Sequence, residues 1–367
     1  MSRLVISADS HVVEPLDLWE QRLPPALRAE AVRHVVENDR MSVYIGGVLA
    51  FTAKMSKDDV EGSDSRHGAG FAEMQASAGG ADLVQRLADI EADGISGEVI
   101  YPTAGLYIFM VEDPKVQDAC ARVYNDWCEE VFLPRGDVFA PAAILPSRDV
   151  ALAVAELERA TDAGFKAAML PMVAPRETPY SADVWEPLWE LAAGRHVPIS
   201  YHVATGALPV TERGPGGAII NYLRVGMAAL DLVGYFVAGG VLMRHPDLTV
   251  AVVEAGAGWL AYANERMDEA AAEHAAWVKP HLDRRPSDYI RDQIRVTVGA
   301  DRAPILSREI TGIEPLMWAS DYPHPEGTWP ESQRAIESIF DGTDVSDGDR
   351  DAIVGGTAAQ LWHLGPR

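Results

Sequence analysis

The sequence predicts an α/β fold: a (β/α)8 barrel with an inserted hairpin and loop region after the first strand. Three observations lead there. Eight short apolar runs, at 4–8, 97–101, 139–145, 167–170, 197–201, 249–253, 294–298 and 316–319, alternate with longer amphipathic stretches. Most of these runs are apolar throughout, the pattern of a parallel sheet covered on both faces. A chain of 367 residues with 48% hydrophobic residues is long enough for one such barrel with insertions. The competing fold, an open doubly wound sheet, lacks its G-x-G-x-x-G signature after the first run.

Helical patterns fill the gaps at 83–93, 114–133, 150–163, 184–195, 222–243, 259–277 and 303–311, and Gly164 and Gly194 are placed to cap two of them. The whole chain, 1–367, reads as a single domain. Only the stretch from about 28 to 80 breaks the alternation. It holds a hairpin pattern over 42–52 turning at Gly46-Gly47, then a polar segment over 57–80, read as a lid or binding loop or as disorder. A closing helix over 350–364, with Gly355-Gly356 and Trp362, packs outside the barrel.

Composition narrows the partners. A net charge of -24, with the acids dispersed, excludes nucleic acid and anionic membrane surfaces. Cys120 and Cys128 share a helical pattern and lie roughly 12 Å apart along it, too far for a disulfide. They read as reduced thiols. No leader pattern opens the chain and no apolar run approaches about 18 residues. The expectation is a cytoplasmic protein without a membrane span.

In a barrel the carboxyl ends of the strands form the active face. Asp9 and His11 follow the first run, His202 the fifth, Glu254 the sixth, and Asp321 and His324 the eighth. Each has an ordinary alternative: a satisfied core histidine, a helix cap at Glu254, a turn ahead of Pro323 at Asp321. Three imidazoles and three carboxylates on one rim point instead to a metal site. His245 falls at the opposite end. His34, His274, His281 and His363 read as solvated, and His67 lies in the possible lid.

These residues also carry a family resemblance. Asp9-Ser10-His11-Val12-Val13-Glu14-Pro15, Arg244-His245-Pro246, Glu254-Ala255-Gly256-Ala257-Gly258-Trp259, Ser320-Asp321-Tyr322-Pro323-His324 and the closing Gly355-Gly356-Thr357 are similar to signatures of the amidohydrolase superfamily. The branch resembled includes aminocarboxymuconate-semialdehyde decarboxylase and the resorcylate-type decarboxylases. The resemblance implies a metal-dependent barrel with Asp9, His11, His202 and Asp321 as ligands, and Asp321 as general base if the reaction is hydrolytic.

Two departures stand out. The decarboxylases place their acid/base histidine where this chain has Glu254. Dinuclear amidohydrolases often use a carbamylated lysine at the end of strand four, but Lys166 opens that run and cannot serve. Glu254 and His324 are then left over as a second carboxylate–imidazole pair. Six ligands, Asp9, His11, His202, Glu254, Asp321 and His324, suit two divalent ions, iron first, with manganese or zinc as alternatives. In these features the chain resembles the nonheme diiron monooxygenases on this fold. The leading expectation is therefore an O2-dependent monooxygenase that hydroxylates a C–H bond of a small, largely apolar molecule. Glu254, Asp321 and His324 are its catalytic candidates, with Glu254 bridging. A metal-dependent hydrolase of an amide, lactone or C–C bond, a nonoxidative decarboxylase, and a noncatalytic partner subunit are the alternatives. The resemblance also implies a homo-oligomer. Trp19, Tyr101, Tyr107, Phe109, Trp259 and Trp329 fall near predicted rim loops, and Arg213 and Arg224 are candidates for meeting an anionic group.

Overall fold

A computed structural model describes residues 3–54, 78–207 and 211–365. Eight parallel strands run in the order β1 (Ile6–Val12), β5 (Gly97–Pro102), β6 (Phe139–Ile144), β7 (Ala167–Pro171), β8 (Ile199–His202), β9 (Val250–Val253), β10 (Ile294–Val298) and β11 (Leu316–Trp318). The seam between last and first is sewn by Asp321 N donating to Asp9 O at 2.9 Å and His11 N to Tyr322 O at 2.6 Å. The expected (β/α)8 barrel is therefore present. Its strands are buried because helices cover the outside and side chains fill the inside.

Acidic N-caps start several of the outer helices. Asp82, Asp113 and Asp149 each accept two backbone N–H groups at the starts of Leu83–Ala92, Pro114–Val131 and Val150–Ala163. Gly164 closes the last of these with φ +108°, as expected. Gly194 does not cap its helix: Glu186–Arg195 runs through it and His196 takes the left-handed position at φ +52°. The pattern at 222–243 is two helices, Gly217–Val237 and Val241–Arg244, broken at Gly239-Gly240. By length and composition Gly217–Val237 could cross a membrane. Its later turns instead bury Leu232, Val233, Phe236 and Val237 in the core, while Ile219, Leu223 and Met227 stand exposed.

The insertion is a three-stranded antiparallel sheet of β2 (Arg33–Glu37), β3 (Arg40–Ile45) and β4 (Val48–Lys54). Gly46 and Gly47, at φ +59° and +76°, make the expected hairpin turn. β2 is an addition, joined to β3 through Asn38-Asp39 at φ +49° and +61°. It corrects the reading of His34, which sits on this strand and whose imidazole is held down to about 4 by burial. The polar segment up to residue 77, with His67, lies outside the described residues. At the C-terminus the chain turns through Ala352–Gly356, where Ile353 and Val354 are buried, and ends in Thr357–Trp362.

Candidate metal centre

The site is built at the rim where β1, β8, β9 and β11 end. Period two along β1 places Asp9 and His11 on the same face. Beneath them the Ser7, Ser10 and Ser320 hydroxyls form a buried knot: Ser320 N donates to Ser7 Oγ at 2.9 Å, and Ser10 Oγ to the same oxygen at 3.0 Å. This fixes β1 against the segment that carries Asp321. Glu254 and Asp321 follow their strands in the left-handed region, at φ +59° and +58°. Neither is glycine, so each position is strained by about 1–3 kcal/mol. Strain at two carboxylates of one cluster marks a place that function has shaped.

Two backbone carbonyls set the histidine tautomers. His11 Nδ1 lies 2.8 Å from Pro102 O, and His202 Nδ1 lies 2.9 Å from Val203 O. A carbonyl only accepts, so both Nδ1 atoms donate and both Nε2 atoms turn lone pairs into the site. Those two Nε2 atoms are 3.0 Å apart. Two lone pairs at that distance repel unless a proton or a cation lies between them.

The donor atoms test the fit of an ion directly. Two atoms bound to one ion at about 2.1 Å lie about 3.0 to 4.2 Å from each other, depending on the angle. His202 Nε2 is 3.2 Å from Glu254 Oε2 and 3.7 Å from Asp9 Oδ1. His11 Nε2 is 3.7 Å from Asp9 Oδ1, 3.7 Å from Asp321 Oδ1 and 4.0 Å from Glu254 Oε2. Each of these pairs falls in the window. Asp9 Oδ1 and Asp321 Oδ1 are buried and make no hydrogen bond among the described residues. Mixed imidazole and carboxylate donors suit manganese, iron or zinc.

Without an ion the cluster is electrostatically unfavourable. Burial, then Glu254 and Asp9, push the Asp321 carboxyl well above its ordinary range. Burial, with Asp9 and Glu326 adding and His202 opposing, raises Glu254 to about 7. Burial would lower His202, but Asp9 and Glu254 outweigh it and hold the imidazole at about 9. His11 is driven well below its usual value by burial and by its histidine neighbours. One shared proton thus takes the place that a divalent cation fills more completely.

The six expected residues all converge, grouped differently from the expectation. Asp9, His11, His202 and Glu254 form one set, and His11, Asp321 and His324 an overlapping one. His324 lies flat against His11, with ring centroids 4.3 Å apart at 28°. Its Nδ1 is 3.5 Å from Asp321 Oδ2, and its buried Nε2 has no partner among the described residues. Lys166 stands at the opposite end of β7, donating to Gly136 O at 2.6 Å and His363 O at 3.1 Å.

Three of the rim aromatics, Trp19, Phe109 and Tyr101, are core residues. Trp19 is buried with Nε1 on Cys120 O, and Phe109 is buried as well. Arg224 is engaged by Glu212 at 2.9 Å. Tyr101 lies beneath the ligands, with its ring 5.4 Å from that of His202 and its hydroxyl on Ser200 Oγ at 2.9 Å. Tyr107 packs on Phe51 of the insertion, 5.6 Å between centroids, and Trp329 on Tyr322. Thr297, whose Oγ1 accepts Glu254 N at 2.8 Å, was not anticipated, since a lone threonine mid-strand gives no signal.

Residues 102–364 match the amidohydrolase family. The chain belongs to the amidohydrolase family. This amidohydrolase is 26% identical over 276 residues to gamma-resorcylate decarboxylase of Polaromonas sp. strain JS666, covering 69% of this chain and 79% of that one. An amidohydrolase structure from Mycobacterium avium subsp. paratuberculosis K-10 superposes with a TM-score of 0.81 at 19% identity, over 99% of this chain and 100% of the other. The 2,6-dihydroxybenzoate decarboxylase of Rhizobium matches with a TM-score of 0.67 at 21% identity, over 98% and 99%. A dihydroxybenzoic acid decarboxylase from Polaromonas sp. JS666, solved with bound manganese, gives 0.66 at 18%, over 98% and 97%. These similarities place the chain in the decarboxylase-like branch. Family and ligand set together mark a metal-dependent enzyme.

Proposed function

We propose that this amidohydrolase is a nonoxidative, metal-dependent decarboxylase of a small aromatic acid, working with one divalent ion. The observation that carries the reading is the geometry around His11. It has one free lone pair, at Nε2, and that atom lies at one ion's spacing from Asp9, His202 and Glu254, which form one set with it, while Asp321 faces it from the overlapping set. The relatives named above as decarboxylases supply the reaction class.

Asp9, His11, His202 and Glu254 would hold the ion, with Asp321 beside it. When bound, the ion acts as a Lewis acid that polarises substrate oxygen atoms. The chain's own groups handle the proton. Asp321 holds one at its carboxyl and delivers it to the ring carbon that bears the carboxylate. That carbon forms its C–H bond, the C–C bond breaks, and CO2 leaves. His324 Nδ1, 3.5 Å from Asp321 Oδ2, is placed to return a proton to Asp321 from the rim side.

The diiron monooxygenase is the second reading, and the overlapping set of His11, Asp321 and His324 favours it. In that reading Asp321, His324 and a shared Glu254 hold a second ion. One experiment separates the two. Manganese-loaded protein is incubated with a panel of hydroxybenzoic acids in D2O without O2. Release of CO2 with one deuterium in the product supports the decarboxylase. Inactivity there, with two irons per chain and 18O2 incorporated into product, overturns it in favour of the monooxygenase.

A further inference from the structure

We propose that Arg86 is a positioning residue for the metal centre, fixing His11 through its backbone and coupling it to Asp321 by way of Tyr322. Arg86 belongs to the helix Leu83–Ala92, on the outside of the barrel, and is buried. Its guanidinium donates from Nε to Glu98 Oε2 at 2.7 Å and from Nη1 to His11 O at 2.7 Å. Its plane lies over the Tyr322 ring, 5.0 Å from the centroid. The Tyr322 hydroxyl donates to Asp89 Oδ2 at 2.6 Å, one helical turn beyond Arg86. Tyr322 O in turn accepts His11 N.

His11 is thereby held at three points: its N–H by Tyr322, its carbonyl by Arg86, and its Nδ1 by Pro102 O. Tyr322 is the residue after Asp321, so one guanidinium fixes the ligand-bearing ends of both β1 and β11. Glu98 neutralises it, which lets a charge stand so deep. Only arginine has the fork to reach Glu98 and His11 together. Gly79 fits the same clamp. Its carbonyl accepts Arg86 Nη1 at 3.4 Å, and any Cβ there would overlap the Tyr322 hydroxyl and Asp89 Oδ2.

The inference rests on the metal-binding reading of the site and adds to it a residue that touches no ligand atom. Its test is Arg86→Lys, which keeps a charge against Glu98 and loses the fork, beside Tyr322→Phe, which keeps the ring and loses the hydroxyl. Mn2+ affinity is measured by competition with a chromophoric chelator, and the Co2+-substituted proteins are compared by their visible absorption bands. Arg86→Lys is expected to weaken Mn2+ binding about ten- to a hundredfold and to shift the Co2+ bands, beside a fall in the metal-free melting temperature from the buried hydrogen bonds it loses. Tyr322→Phe is expected to shift both readouts the same way by a smaller factor. Should Arg86→Lys not fold, Tyr322→Phe alone decides. Variants that bind Mn2+ like wild type with unshifted Co2+ bands overturn the inference. A wild type that binds neither ion overturns the metal reading itself, and the inference with it.

Discussion

Glu254→Gln separates the electrostatics of the ligand set from its packing. In the metal-free protein burial first, then Asp9 and Glu326, against the pull of His202, hold Glu254 at about 7 where 4.5 is ordinary. The unfolded chain therefore releases this proton near 4.5 and the folded protein only near 7. Folding loses stability as pH rises between those values, and the loss is complete above 7. At full strength the shift corresponds to about 3 kcal/mol. The side chain keeps 30% exposure, and screening reduces the figure to about 1–2 kcal/mol. Asp321 is shifted the same way. His202, raised to about 9, contributes stability that is full below 6.5 and fades as pH rises through 9. All three terms share a sign. Urea denaturation with chelator present should show wild type losing stability from pH 5 to pH 8. Glutamine keeps the shape and cannot ionise, so Glu254→Gln should lose about 1–2 kcal/mol less over the same range. Saturating Mn2+ should reverse the wild-type slope, because ligands bind better once deprotonated. Equal slopes for wild type and Glu254→Gln in chelator would refute the reasoning.

Other substitutions probe the rest of the site. Asp9→Asn and His202→Asn should each weaken Mn2+ binding by at least about tenfold, since even groups that merely support a ligand are worth that much; chelator competition reads it. Ser7→Ala removes the acceptor at the centre of the serine knot and should lower stability by about 2–3 kcal/mol in urea, with weaker metal binding as a second effect. Lys166→Met should leave the metal content of purified protein unchanged by elemental analysis, because Lys166 stands at the far end of β7.

The strands and the rim were legible because they rest on short-range periodicity. Apolar runs of four to seven residues mark the strands, and period two puts Asp9 and His11 on one face. β2 carried a signal as well: Asn38-Asp39 between two strand-like stretches is a left-handed turn pair. The grouping of ligands was not legible. It depends on Glu254 leaving β9 in a left-handed conformation, which swings its carboxylate to 3.2 Å from His202. Nor was Arg86, since its contacts join a helix to β1, β5 and the segment after β11. His196, not Gly194, caps the helix because the helix continues through Gly194 to Arg195 before the chain turns into β8.

The number of ions turns on His11. Its Nδ1 is committed to Pro102 O, so it has one lone pair to give and can bind one ion. The atoms that face that lone pair at one ion's spacing belong to Asp9, His202, Glu254 and Asp321. A second ion would therefore draw on Asp321 and His324 and need Glu254 as a bridge, while His324 lies flat on the face of His11 instead of pointing at the atoms His11 binds. The unfavourable terms of the metal-free site follow the same division. Left-handed strain at Glu254 and Asp321, two facing imidazole lone pairs and two unpartnered carboxylate oxygens meet at one point. A single divalent ion held by Asp9, His11, His202 and Glu254 would meet the lone pairs and the Asp9 oxygen. A second ion would draw on His324 Nε2 and the Asp321 oxygen of the overlapping set. His324 is the group at which one ion and two are told apart, because it belongs only to the overlapping set with His11 and Asp321.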